Sequence, residues 1–495
     1  MSIAQASRPP QELHLEAPGR QGRWRFPALC ALLLLAVGYT ILLAQKAPPP
    51  DGPVIPFVPL WMLGFAPYLA ACLIVLATPA PTGRRQWSEL GLILVGACVL
   101  RTLLLPIPPD LSHDSWRYLW DARVTLHGYS PYVYSPNDSH LMYLRDFIYD
   151  NSRFRNVPTI YPPGAQAIYL LSYLIAPSNL FVLKAIFLLL DIVTCVALAL
   201  LLKRRGLDPS RCILYAWCPL PIVEFAIQGH LDASTLAFMT LAVLTSLSQW
   251  RGARVLTGFL IGMAALTKIY PIVLLLALMR RRDRALLATC IATIIAAYIP
   301  YIILGHGQIL GFFGTYASEH AHNAGIVPLV MDQISAYARF NTRTTLILTY
   351  LADLTVVGAT ALAVLIQRIR QRISPEAATL LLLASIFAVS THIFPWYTTA
   401  LLPWAAVLLG PLWTRGDGIN ARGLAAALAW YFAFISISSY VFDSLHHWDI
   451  YYILAYYVPL AGLALAAIVG VRATRGSLKD LLRDISTQMN IRKEC

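Results

Sequence analysis

Charge is scarce in this chain. Of its 495 residues 13% are charged and 58% are hydrophobic, with a mean hydropathy of +0.61. Soluble domains carry about 25% charge, so a soluble globular fold is excluded. Cysteine is sparse too. The eight (Cys30, Cys72, Cys98, Cys195, Cys212, Cys218, Cys290 and Cys495) fall in apolar runs or cytoplasmic segments, none in a proposed external loop. No disulfide framework is indicated. No CxxC pair occurs, which argues against a thiol–metal site. A Walker loop, a Rossmann glycine pattern and a nucleophile elbow are also missing. Their absence argues against a nucleotide-sugar donor handled on the inner face. No internal repeat and no low-complexity linker stands out.

What the chain has instead is hydrocarbon in long runs, each close to the roughly 20 residues that cross about 30 Å of lipid as a helix. Lysine and arginine outnumber aspartate and glutamate by 38 to 25, a net charge of +13. The excess sits between apolar runs: Arg84 and Arg85; Lys203, Arg204 and Arg205; Arg251 and Arg254; Arg280 to Arg282; Arg368, Arg370 and Arg372; Arg415 and Arg422. That is the positive-inside pattern. An anionic lipid surface accounts for it better than a polynucleotide does, so the expected partner is the bilayer and no nucleic acid.

Residues 1–25 read as a cytoplasmic tail. The run Phe26–Ala44 is too long for a signal-peptide core and reads as an uncleaved first span, N-terminus inside. Further spans are proposed at 57–78, 89–105, 180–202, 211–227, 232–249, 254–266, 269–279, 285–303, 344–366, 375–390, 398–413, 424–442 and 450–471. The expected fold is therefore all-α and polytopic, one transmembrane domain over 26–471 with roughly 12–14 spans, and a cytoplasmic tail over 472–495. Parity leaves every basic cluster inside and a large loop, 106–179, outside. Within that loop 164–177 reads as an interfacial helix.

The loop is a polar island between hydrocarbon runs. Pro108 and Pro109 end the span before it, and Ser112 is placed to cap a helix beginning near His113. On that helix Asp114, Arg117 and Asp121 share a face, and Trp116, Trp120 and Arg123 form an adjacent stripe. A carboxylate here can take a proton from a sugar hydroxyl, and an arginine beside it can hold a phosphate. The same residues also suit a plain interfacial helix, since a dipole favours Asp114 at its start and interfaces favour Trp, Tyr and Arg. Glu224 stands in the apolar stretch LYAWCPLPIVEFAIQGHLDAS, where an ionised side chain costs about 2.5–3.5 kcal/mol. It shares a helix face with Gln228, and His230 and Asp232 follow; two candidate ligands are too few for a metal site. Packing and function weigh equally for Glu224. Lys268 lies between two short apolar halves whose outer flanks are both basic, so the chain must enter and return, with Pro271 at the break and Tyr270 near the apex. A buried ammonium needs an anion: a lipid phosphate, or Glu224 as a structural partner. Arg153, Arg155, Arg339 and Arg343 are further external cations. His392 stands at the outer end of a span beside Trp396 and Tyr397, and His320 with His322 offers at most a weak metal pair.

Taken together, SHDSWRYLWDARVTLHGYSPYVYSPND, PTIYPPGAQ, LYAWCPLPIVEFAIQGHLDA and AALTKIYP, with His392-x-x-Pro-Trp-Tyr as a later echo, resemble polytopic glycosyltransferases of the GT-C superfamily. The nearest likeness is to the polyprenol-phosphate-mannose-dependent mannosyltransferases of the family 87 type. The resemblance runs in order over about residues 100–275. It implies a GT-C-like fold whose first large external loop carries a catalytic acid, a polyprenyl-phosphate sugar donor, a glycan or glycolipid acceptor, and inversion in one displacement. It makes Asp114 the base, assisted by His392, with Lys268, Tyr270, Arg117 and Arg155 near the donor phosphate. Asp121, Arg123, Trp116, Trp120, Tyr161, Glu224, His230, Asp232, Trp396 and Tyr397 become candidate substrate contacts, with no metal and no cofactor. His113 stands where relatives often have a second acid, which weakens a paired-carboxylate scheme. The expected location is a bacterial plasma membrane with the site facing outward. The rival from another class is a transporter or flippase of a lipid-linked sugar, which would also suit Lys268, Pro271 and Glu224 in broken or charged spans.

Overall fold

The computed structural model describes residues 24–49, 52–316, 323–410, 413–414 and 418–465. The His320–His322 pair and the C-terminal tail lie outside the described residues. Apolar runs in lipid must satisfy their backbone internally, so they become helices. They begin with α1 (Arg25–Gln45), α2 (Phe57–Leu63), α3 (Phe65–Ala77) and α4 (Arg84–Leu104). The polar island folds as α5 (Asp114–Leu126), a 3-10 turn (Ser139–Leu144), α6 (Phe147–Asn151) and α7 (Pro163–Ile175). Next come α8 (Leu180–Arg204), α9 (Ile213–Ala216), α10 (Pro219–Ala226), α11 (Asp232–Ser246), α12 (Ala253–Thr267), α13 (Leu274–Leu278) and α14 (Arg284–Leu304). After α15 (Phe313–Tyr316) the chain forms α16 (Ile326–Ala338), α17 (Thr342–Ile369), α18 (Pro375–Val389), α19 (Pro395–Thr398) and α20 (Leu402–Leu408). A two-residue antiparallel pairing of Trp413–Thr414 with Gly418–Ile419 precedes α21 (Ala421–Ser436), α22 (Ser439–Leu445) and α23 (Trp448–Tyr452).

Among the described residues seven helical stretches, one of them α2 with α3, are long and apolar enough to cross a membrane, and the bent pair α21–α22 makes an eighth; α11, α12, α16 and α18 are apolar but shorter. The polytopic helical fold stands, but besides the bent pair over 424–442 three further proposed spans are not continuous helices. Residues 211–227 break into a turn, α9 and α10 at Pro209 and Pro219. Residues 398–413 break where Pro395 and Pro403 start short helices, and 269–279 is a 3-10 turn at Pro271 plus the five-residue α13. In each case proline removes an amide donor and disfavours helix just before it. The cap of α5 is also one residue later than its sequence suggests: His113 holds that position, and the Ser112 hydroxyl accepts the Asp114 amide at 3.3 Å.

The basic clusters gather at one end of the bundle. There Arg25 meets Glu89 and Asp208, Lys203 covers the Trp87 ring, and Arg205 grips Glu376 through two hydrogen bonds of 2.6 and 2.9 Å. Arg254 pairs with Asp283, Arg280 donates to the Ser246 carbonyl, and Arg422 to the Arg372 carbonyl. Deeper in, Arg101 of α4 binds Asp191 of α8, which also accepts from the Tyr215 hydroxyl; both charged side chains are fully buried.

From the basic end α11, α12 and α18 each run 15 residues, about 22 Å of helix, against roughly 30 Å of hydrocarbon. Their far ends therefore stop short and leave a recess. Asp232 begins α11, Lys268 ends α12, and Ser390 ends α18. Helix α11 packs between α8 and α12, and α12 packs on α14. The island helices α5 and α7 pack on one another above this recess.

Candidate active site

The entry to α5 is held from below. The Gln228 side-chain oxygen accepts the amides of Asp110, Leu111 and Ser112 at 3.1, 3.0 and 3.3 Å. Helix α5 is then bolted to the rest of the island by its first polar face. Arg117 donates to Asp121 at 2.8 Å and to the carbonyls of Phe154 and Val157 at 2.8 and 2.9 Å. Gln166 of α7 donates to the other Asp121 oxygen and to the Thr159 hydroxyl, both at 3.2 Å. Buried polar groups left unpaired are costly; this network pairs both oxygens of Asp121 and fixes where α5 starts.

That start faces a cleft with about 1040 Å³ of open space, at the upper end of what small-molecule sites offer, about 300–1000 Å³. Asp114, Arg117 and Tyr161 line one wall, Lys268 and Tyr270 the floor, and His392, Trp396 and Tyr397 the wall opposite. Arg153 also lines it. Ile269, Ile272, Val273, Ile386 and Phe387 make one side purely hydrocarbon, so a charged floor sits beside an oily flank.

Asp114 keeps about a fifth of its side chain exposed. The Tyr161 hydroxyl donates to it at 3.4 Å. Burial lifts its carboxyl above the ordinary aspartate value, and the Lys268 ammonium and that hydroxyl offset part of the rise. Lys268 itself donates to Asp232 at 2.8 Å and lies 3.8 Å from the centre of the Tyr397 ring. A cation on a ring face is attracted by the ring's quadrupole. The structural partner of Lys268 is thus Asp232, not Glu224.

Rings form a column along the far wall. Tyr316 stacks on His392 at 4.7 Å, His392 on Phe394 at 6.1 Å, Phe394 on Trp396 at 4.5 Å, and Trp396 on His230 at 3.8 Å. His392 also meets the Thr391 hydroxyl through Nδ1 at 2.9 Å, and Tyr397 meets the Tyr316 hydroxyl at 3.0 Å.

Eight of the sequence-derived candidates do not line the cleft. Arg123 is held by Asp146, the Leu144 carbonyl and the hydroxyls of Tyr173 and Ser178. Trp116 packs on Phe147 and Trp120 on Tyr149, because α6 and its lead-in fold over that stripe. Arg155 donates to the carbonyls of Ser152 and Asp150 and stacks on Tyr149. Asp121 is consumed by the network just described. Asp232, Glu224 and His230 lie one layer behind the surface: Asp232 under Lys268, the other two behind Asp114 and Trp396. Sequence reasoning gave Gln166, Tyr316 and Tyr440 no role and set Gln228 only beside Glu224, because each acts across a gap of many residues.

Fold and cleft define an integral, polytopic helical membrane protein with a polar, ring-walled site recessed at one end. The family model for glycosyltransferase family 87 matches residues 159–395, a little under half of the chain. Over that stretch the chain is similar to glycosyltransferase family 87, whose members join a sugar donor to an acceptor, and the seven apolar helices place that stretch in a membrane protein. The matched stretch contains Tyr161, Glu224, His230, Asp232, Lys268, Tyr270 and His392, and starts after Asp114. No curated protein and no solved structure matches the chain. Among the described residues no group of three or more His, Cys, Asp or Glu side chains is arranged to hold a metal ion.

Proposed function

We propose that the protein transfers a hexose, mannose by the family resemblance, from a polyprenyl-phosphate donor to a glycan or glycolipid acceptor outside the cytoplasm, with inversion. The observation that carries this reading is one cleft in which Asp114 and Lys268 face each other beside a hydrocarbon flank. A polyprenyl chain lies along Ile269, Ile272, Val273, Ile386 and Phe387, and its phosphate comes to Lys268, with Tyr270 beside it. The acceptor hydroxyl approaches Asp114 from the mouth, and sugar rings rest against Trp396, Tyr397 and Tyr161. Asp114 removes the hydroxyl proton as the acceptor oxygen bonds to the anomeric carbon, and the phosphate leaves with the electron pair of the broken bond. The chain's task is to position, to neutralise the leaving group and to accept one proton. His392, fixed in the ring column, assists at the phosphate.

The same geometry supports a sidedness. The basic clusters lie at the end opposite the cleft mouth, and positive ends tend to stay in the cytoplasm, which supports a cleft opening outward; a bacterial plasma membrane is the proposed location. The test is Asp114→Asn in purified protein supplied with a panel of polyprenyl-phosphate sugars. The wild type consumes one of them in detergent, and the variant, still folded, loses transfer by about 10²–10⁴-fold. Full activity in the variant would remove the base. Movement of a lipid-linked sugar across a sealed bilayer without bond formation would favour the flippase instead.

A further inference from the structure

Behind Asp114 lies a second group that the reaction does not touch. His230 is fully buried, with Nδ1 3.9 Å from Asp114 Oδ2 and Nε2 3.3 Å from Glu224 Oε2. Neither ring nitrogen has a hydrogen-bond partner of normal geometry among the described residues, and Glu224 Oε2 lacks one too. The other Glu224 oxygen accepts from the Tyr440 hydroxyl at 3.2 Å. The ring has no freedom to turn away. Trp396 stacks on it at 3.8 Å with planes 14° apart, and its amide donates to the Glu224 carbonyl at 3.1 Å. Gly229 beside it has φ +69°, and a Cβ there would meet Lys184 Cγ at 2.9 Å, so only glycine makes the turn that aims His230.

We propose that Glu224, His230 and Asp114 form a hydrogen-bonded triad in which the first two orient the base; this rests on Asp114 being that base. Two buried ions would lose their water for one contact, so the uncharged pair is favoured. Glu224 keeps its proton and donates to Nε2, and Nδ1–H donates to Asp114 Oδ2. The 3.9 Å gap shortens by about 1 Å when substrate seats, as catalytic hydrogen bonds commonly do. Asp114 Oδ1 is thereby turned to the acceptor hydroxyl. In turnover the hydroxyl proton goes to Asp114 and leaves from it, while Glu224 and His230 end each cycle unchanged. They are positioning residues. The charged and titratable groups facing the pair are Asp110, Asp114, Asp232, Lys268, Tyr440 and, beside Gly229, Lys184.

Three variants test this: His230→Phe, which keeps the stack and removes both nitrogens; Glu224→Gln, which keeps a donor; and Glu224→Leu, which does not. With the polyprenyl-phosphate sugar that the wild type consumes, His230→Phe and Glu224→Leu lower kcat about 10-fold or more with donor KM unchanged. They also move the acid limb of the pH profile up by about one unit, since a carboxylate loses its donor. Glu224→Gln stays within about threefold of wild type. A fall for Glu224→Gln as large as for Glu224→Leu overturns the neutral triad, and so does an unmoved profile in His230→Phe. A readout independent of any donor is the infrared titration of the Asp114 carboxyl, taken as wild type minus Asp114→Asn. It shifts upward in the His230→Phe background, and an unchanged midpoint also overturns the proposal. Loss of transfer in Asp114→Asn together with wild-type behaviour in His230→Phe sinks the triad alone; activity in Asp114→Asn sinks the base.

Discussion

Replacing Lys268 with methionine separates what the lysine does for the fold from what it does for the reaction. Its ammonium is 2.8 Å from Asp232, with side chains 13% and 1% exposed. Removing one partner of such a pair leaves an uncompensated buried charge and costs about 3–5 kcal/mol. Replacing both by apolar residues of similar size is often neutral or better. Lys268→Met alone is therefore expected to lose about 3–5 kcal/mol in reversible denaturation in detergent, and Lys268→Met with Asp232→Leu to regain most of it. The two residues touch, so their effects are strongly non-additive. Transfer should behave otherwise if the proposed function holds: both variants are expected to be inactive, because neither offers a cation to the proposed leaving phosphate and Asp114 loses the Lys268 charge that lowers its pKa. An active double variant would refute the reasoning and reduce Lys268 to a structural ion. A single variant as stable as wild type would refute the burial argument.

Other expectations follow from the same geometry. Burial keeps the Asp114 carboxyl above the ordinary value of 3.8 despite Lys268, and as the proposed base it would act only when ionised. The pH–rate profile should thus lose activity, as pH falls, at a higher pH than an exposed aspartate would dictate; a flat profile down to that value contradicts the assignment. Asp191→Ala leaves Arg101 buried without its counter-ion between α4 and α8, and should cost about 3–5 kcal/mol in the same denaturation assay, with no specific change in donor KM. Gly229→Ala forces a side chain into a left-handed turn, about 1–2 kcal/mol, and by displacing His230 should depress kcat well beyond what the stability loss explains.

Much of this was legible in the sequence, for reasons that differ by residue. Long apolar runs and their basic punctuation report the solvent each segment meets, so the helical membrane class and the basic end were readable. The turn at Lys268 was readable because Pro271 and two basic flanks leave the chain no other path. Periodicity shows which residues share a helix face but not what packs over it. Hence Trp116, Trp120 and Arg123 were named as substrate contacts on a shared stripe, whereas the structure packs that stripe against α6 and away from the cleft. The Arg101–Asp191 pair joins residues 90 apart, and each is outvoted by the hydrocarbon around it. Gln228 is similar: nothing near it announces three amides 116 to 118 residues upstream.

The helices that end early have one more consequence. On the proposed function, the bilayer continues past the level where α11, α12 and α18 stop, and an activated sugar drawn down to that level leaves bulk water above it. On that reading, depth itself holds back competing hydrolysis. The same arrangement ties the reaction to the host membrane: a thicker bilayer sinks the reacting carbon further from the acceptor's side, and a thinner one exposes it.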